Sequence, residues 1–216
     1  NLNQSLQLPD GTVLNTAEDL EHNYTPLNQR LLGLENTLHV HPNHVNIAWA
    51  KSIGGTANDA IDDTIRLSDG SLLVHGRYRG TMQLDANTSL TSAGQFDGFL
   101  ATYSPQGELL WAKSIGGTGR DSIDDTIQLS DGSLLVRGSY RGTMQLDANT
   151  SLTSAGSDDG FLATYSPQGE LLWAKSFGGT GADSIHDTIQ LSDGSLQVSG
   201  KYRGTMQLDA NTSLTS

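Results

Sequence analysis

One heptapeptide recurs three times at a fixed interval, and that interval limits the possible folds more than anything else in the chain. Trp49-Ala50-Lys51-Ser52-Ile53-Gly54-Gly55 returns at Trp111 to Gly117, and again at Trp173 to Gly179 with Phe177 replacing the isoleucine. The three tryptophans stand 62 residues apart, and residues 49–110 and 111–172 differ at eight positions only. Self-similarity at such a period marks an array in which each unit buries its apolar side on its neighbour. The chain divides accordingly into a diverged N-terminal unit (1–48), repeat 1 (49–110), repeat 2 (111–172) and a partial repeat 3 (173–216).

Each unit carries four strand segments in two hairpins. Asp124 to Leu129 and Ser133 to Gly142 flank Asp131-Gly132, and Asp-Gly between alternating apolar residues is a strong hairpin signal. Gly160 to Tyr165 and Glu170 to Phe177 flank the turn Ser166-Pro167-Gln168-Gly169. Met144-Gln145-Leu146 reads as a further short strand, followed by the polar loop Asp147 to Ser154. Ser5 to Leu14 repeats the first hairpin in diverged form around Asp10-Gly11. Leu38 to Trp49 repeats the second around His41-Pro42-Asn43-His44, with one extra residue. Between them, Thr25-Pro26 starts a helix well, and Leu27, Leu31, Leu34 and Leu38 share one of its faces. That leucine face packs on the sheets or joins copies of the chain.

The expected fold is therefore all-β. Tandem four-stranded antiparallel blades form a propeller-like, incomplete ring with a short N-terminal helix at about 25–38. A β-solenoid stack is the alternative, although its rungs are usually shorter.

The run Asp159-Gly160-Phe161-Leu162-Ala163-Thr164-Tyr165, with Gly169 to Trp173, the Gly178-Gly179 corner, Asp193-Gly194-Ser195 and Val198-Ser199-Gly200, resembles the bacterial β-propeller repeat family. The resemblance covers about 37–216. It implies a propeller scaffold in an exported bacterial surface protein, and it carries over no catalytic residues. Such propellers usually close with more blades than this chain supplies.

The formal charge of −12 disfavours nucleic acid and anionic membrane as partners and leaves room for divalent cations. There is no cysteine, so disulfides and thiol chemistry are excluded. No apolar run approaches the roughly 20 residues of a membrane-spanning helix. Residue 1 is Asn rather than Met, which reads as a processed chain or part of a longer one.

Comparing the copies separates two faces of one strand. Leu72/Leu134/Leu196, Val74/Val136/Val198 and Tyr78/Tyr140/Tyr202 do not vary, while His75/Arg137/Ser199 and Arg77/Ser139/Lys201 do. Side chains alternate along a strand, so the constant face meets a constant environment. The variable face (His75, Arg77, Arg137, Ser139, Ser199, Lys201) meets solvent or a variable neighbour and is the expected recognition surface.

His39, His41 and His44 form a cluster able to hold zinc, copper or nickel, against which stands their good turn chemistry. Asp85-Ala86-Asn87-Thr88-Ser89 alternates oxygen ligands and recurs at 147 and 209, making calcium a candidate cofactor, but it lacks the usual glycine and terminal acid. Asn87-Thr88-Ser89 and its copies match glycan acceptor sequons, which are incidental if the source is bacterial, as the resemblance implies. The tryptophans suit packing between units better than sugar stacking. Phosphate-loop, nucleophile-elbow and metalloprotease motifs are missing.

Ser216 corresponds to Ser92 and Ser154, just before the second hairpin of a unit, so repeat 3 is expected to present an unpaired sheet edge. The edge is completed by another chain or by more of this one. The expected function is a non-catalytic structural protein, extracellular or on the cell surface, that assembles with itself through such edges. Its cofactors are none or calcium, and its partners are further copies. The alternative is a multivalent carbohydrate-binding or adhesion module.

Overall fold

A computed structural model describes residues 48–208 and 211–216, together with the backbone of two short strands at 6–7 and 13–14. The helix expected at 25–38 lies outside the described residues. The chain forms two compact units, 1–47 and 48–216. In the first, β1 (Leu6–Gln7) pairs antiparallel with β2 (Val13–Leu14), joining Leu6 to Leu14 and Gln7 to Val13.

The second unit is all-β among the described residues and is built from antiparallel sheets. It opens with β3 (Gly54–Gly55). β4 (Ala60–Arg66) and β5 (Leu72–Tyr78) form the first hairpin, and β6 (Thr81–Gln83) and β7 (Ser89–Thr91) a small second one. β8 (Asp97–Tyr103) returns to pair with β5, and β9 (Leu109–Gly117) pairs with β8. The first sheet thus contains the meander β4-β5-β8-β9.

Repeat 2 follows the same plan. β10 (Ser122–Gln128), β11 (Leu134–Tyr140), β14 (Asp159–Tyr165) and β15 (Leu171–Gly179) make the meander, and β12 (Thr143–Gln145) with β13 (Ser151–Thr153) the small hairpin. Repeat 3 gives β16 (Ser184–Gln190), β17 (Leu196–Lys201), β18 (Thr205–Gln207) and β19 (Ser213–Thr215).

The sheets are out of step with the tryptophan-to-tryptophan repeat. Trp111 to Gly117 closes the first sheet, so the 111–172 window straddles two sheets. The end of β9 also carries the next small hairpin, with Gly116 and Gly117 paired to Gln145 and Met144. The double glycine is a steric requirement: a Cβ on Gly117 would overlap the Thr143 carbonyl, and one on Gly116 would strike the Asp97 carboxylate. The Asp-Gly turns obey their own rule. Gly132 sits at φ 87°, which a side chain disfavours, while the Ser133 amide and hydroxyl both donate to Asp131 Oδ1.

Burial explains the stacking. One side of the first sheet (Leu73, Leu100, Ile115) joins the opposite side of the second (Leu134, Val136, Tyr140, Phe161, Ala163, Tyr165) in a single core. Val74, Tyr78, Phe99, Ala101 and Tyr103 on the other side of the first sheet pack with Trp49 and Ile53. Leu135 and Leu162 carry the pattern on to Ile185 and Leu196. Each sheet therefore lays its variable side on the constant side of the next. Hydrogen bonds fix the spacing: Trp49 Nε1 donates to the Pro105 carbonyl (3.0 Å), and Trp111 Nε1 to that of Pro167 (2.9 Å). Gln128 and Gln190 accept from the Ser68 and Ser130 amides one repeat earlier, both at 2.8 Å.

Candidate functional site

Three places in the second unit depart from a uniform stack: a polar seam between the first two meanders, a charged groove, and the free side of β17.

The seam lies where the copies differ. On β5, His75 belongs to the side facing the next sheet and is 0% exposed. Its register partner on β4 is Asp63, just past a bulge between Ile61 and Asp63. From β10 of the next meander comes Asp125, past the equivalent bulge. One ligand atom from each of Asp63, His75 and Asp125 lies within 4.8 Å of the other two. Neither nitrogen of His75 has a hydrogen-bond partner among the described residues. Each aspartate is oriented by a backbone amide, Thr64 to Asp63 Oδ1 (2.7 Å) and Thr126 to Asp125 Oδ1 (2.9 Å). Arg137 adds donors from Nε (3.2 Å) and Nη2 (3.1 Å) to Asp125 Oδ2. Burial holds the His75 pKa below its ordinary value, against the opposing fields of Asp63, Asp125, Asp62 and Asp124.

The groove, about 590 Å³, is lined by Arg77, Arg120, Ser139, Arg141, Asp158 and Lys201 among others. Arg77, Ser139 and Lys201 occupy one equivalent position in three successive repeats, so the stack brings this variable position together at one place. Arg141 is held there by two bonds to Asp158, 3.0 and 2.7 Å. Four cationic side chains thus meet three carboxylates, Asp124, Asp158 and Asp183, which leaves a slight positive excess in a chain whose overall charge is strongly negative.

Repeat 3 shows the third departure. β17 pairs with β16 on one side and with no strand on the other among the described residues. In the same position β5 pairs with β8, and β11 with β14, over seven residues each. Beside β17 runs an apolar groove of about 520 Å³ lined by Phe177, Ile185, Leu196, Val198, Tyr202 and Met206. The equivalent Ile115, Ile123, Leu134, Val136, Tyr140 and Met144 are each at most 1% exposed, whereas Val198 is 38% exposed.

The six residues read as a recognition surface thus separate. His75 is in the seam and Arg137 at its margin, while Arg77, Ser139 and Lys201 meet in the charged groove. Ser199 lies exposed on β17 and also lines the apolar groove. His39, His41, His44, Leu27, Leu31, Leu34 and Leu38 lie outside the described residues. In the loop read as a calcium site, Asp85 Oδ1 accepts from the Asn87 and Thr88 amides, both at 2.8 Å, which is turn capping. Sequence reasoning missed the grouping of Asp63, His75 and Asp125. Its signal was present in the hairpin register, which sets Asp63 opposite His75, and in the repeat, which stacks Asp125 over both.

A scan of protein-family models finds no match to this chain, and a search of curated proteins finds none either.

Proposed function

We propose that the chain is a non-catalytic structural repeat protein, exported to the cell surface or beyond, whose sheets are propeller-like blades and which assembles with itself by strand addition at β17. The observation that carries this reading is the contrast within one molecule. At the same positions Val74, Tyr78 and Met82 in repeat 1 and Val136, Tyr140 and Met144 in repeat 2 are buried, where Asp97–Tyr103 and Asp159–Tyr165 pair with the neighbouring strand, whereas Val198 in repeat 3 is 38% exposed. A contiguous apolar patch beside a free strand edge is a docking surface by both of its properties.

Either more of this chain or, in self-assembly, a second copy completes the edge, and the segment that does so in a second copy is the hairpin 38–49. Its sequence is that of a second hairpin, with Leu38 and Val40 in alternation, a proline turn, and Trp49 at the tryptophan position. Trp49 bonds to the Pro105 carbonyl as Trp111 bonds to that of Pro167, so Trp49 repeats the contact that an outer-strand tryptophan makes with the following repeat. Joining that hairpin to β16–β17 continues the 62-residue period from one chain into the next. Such a head-to-tail contact is heterologous and generates rings or filaments.

Light scattering over a concentration series tests this. Mass rising above the 23.0 kDa monomer, and held at the monomer by Val198→Lys, is the expected result. A monomer at every concentration, or assembly indifferent to Val198→Lys, would overturn it.

The charged groove favours a second reading, a binding module for polar ligands such as acidic carbohydrates. Beyond the paired Arg141, Arg77, Arg120 and Lys201 supply charge-assisted donors of the kind carboxylate or sulfate groups require, with Asp124 and Asp183 beside them. Binding to a glycan array that disappears with Arg77→Ala and Lys201→Ala together separates this reading from the first.

A further inference from the structure

We propose that Asp63, His75 and Asp125 form a binding site for a divalent transition-metal ion of the zinc type, which ties the β4-β5 hairpin to the next sheet. The observation behind it is an imidazole that is fully enclosed and has neither nitrogen satisfied. Burying a polar group without a partner forfeits its hydration with no bond in return, so native structures rarely retain one without a reason. Here the reason stands beside it: two carboxylates from different sheets, with donor atoms no more than 4.8 Å apart. Donors around a zinc ion at 2.0–2.2 Å lie about 3.4 Å apart, so modest rotation of the two aspartates closes the site.

The donor set selects the metal. One imidazole nitrogen disfavours calcium and magnesium, which take oxygen, and a chain without thiols disfavours copper(I). Nitrogen with two carboxylates suits zinc and its first-row neighbours, water filling what remains. The partly exposed carboxylates give the ion a path in, since Asp63 is open to solvent. The amides of Thr64 and Thr126 and the fork of Arg137 hold the carboxylates in place. Arg137 is one positive charge against the four of Asp62, Asp63, Asp124 and Asp125, so the local field still favours a cation.

The repeats themselves limit the site to one. Where repeat 1 has His75, repeat 2 carries Arg137, which brings its own charge to Asp125, and repeat 3 carries Ser199. One ion per chain is therefore expected, at the seam between the first two meanders. This inference is independent of pairing at β17.

The test is calorimetric titration of the chelator-treated full chain with zinc at neutral pH, alongside the cobalt(II) absorption spectrum. One site per chain is expected, weakened at least about 10-fold by His75→Ser and by Asp63→Asn. It is expected to survive removal of the other histidine cluster by His39→Ala, His41→Ala and His44→Ala together. If His75→Ser does not fold, Asp63→Asn at its exposed position carries the test. The proposal is overturned if the chain takes up no zinc, if neither single variant weakens binding, or if the triple variant abolishes it.

Discussion

Val74, Val136 and Val198 occupy one position of the repeat in three environments, so truncating each in turn measures the stacking without changing the chemistry. Val74 is 5% exposed, Val136 0% and Val198 38%. Val→Ala removes two methyl groups, about 0.8 kcal/mol each when buried, and leaves a cavity in a core that collapses only in part. For Val136→Ala, enclosed by sheets on both sides, this gives a cost of about 2–3 kcal/mol. For Val198→Ala in the dilute monomer, the methyls already touch water and no strand pairs with the far side of β17 among the described residues, so the cost falls below about 1 kcal/mol. The assay is urea unfolding followed by circular dichroism, low enough in concentration to keep the chain monomeric. Assembly should restore the lost symmetry. If a partner strand seals the β17 groove, Val198→Ala weakens association by the cost it no longer shows in folding, and about 2 kcal/mol corresponds to roughly 30-fold. Equal costs at Val136 and Val198 in the monomer would refute the reasoning, because the third position would then already be covered.

Two further expectations come from single groups. Trp111→Phe deletes the bond to the Pro167 carbonyl and should cost about 0.5–1.5 kcal/mol in the same unfolding assay. Trp173→Phe, at a side chain 40% exposed, should cost the monomer little. Asp121 is 1% exposed, and burial pushes its carboxyl up to about 6 against the Arg141 and Gly117 amides that donate to it. The folded chain therefore holds this proton more tightly than the unfolded one, and the resulting stabilisation is lost as pH rises through 6, on the order of 2–3 kcal/mol for this group alone. Carboxyl carbon NMR should show a titration near 6, and one in the usual carboxylate range would contradict the burial.

The fold was legible in the sequence because each of its rules is local. Asp131-Gly132 announces a hairpin, Gly116-Gly117 a close crossing, and the constancy of Leu72, Val74 and Tyr78 a buried side. The sheet boundary was less legible: Trp111 begins the repeated phrase but ends a sheet, since β9 belongs with the three strands before it. The short hairpin β12–β13 was visible only as Met144-Gln145-Leu146, because its second strand is three residues of an otherwise polar loop. The seam was hidden for a different reason. His75 read as one member of a variable face, and nothing in the sequence set Asp63 and Asp125 apart. What joins them is a register across two strands together with the superposition of two sheets, and neither is a property of neighbouring residues. The charged groove was hidden likewise, since Arg77, Ser139 and Lys201 meet only when three repeats are stacked.

Strand addition at β17 is tested most directly by amide hydrogen exchange of the chain at low and at high concentration. The amides of Leu196–Lys201 directed away from β16 should exchange freely in the dilute chain and become as protected at high concentration as those of Leu134–Tyr140. Free exchange of those amides at every concentration, with Leu134–Tyr140 protected throughout, would contradict it.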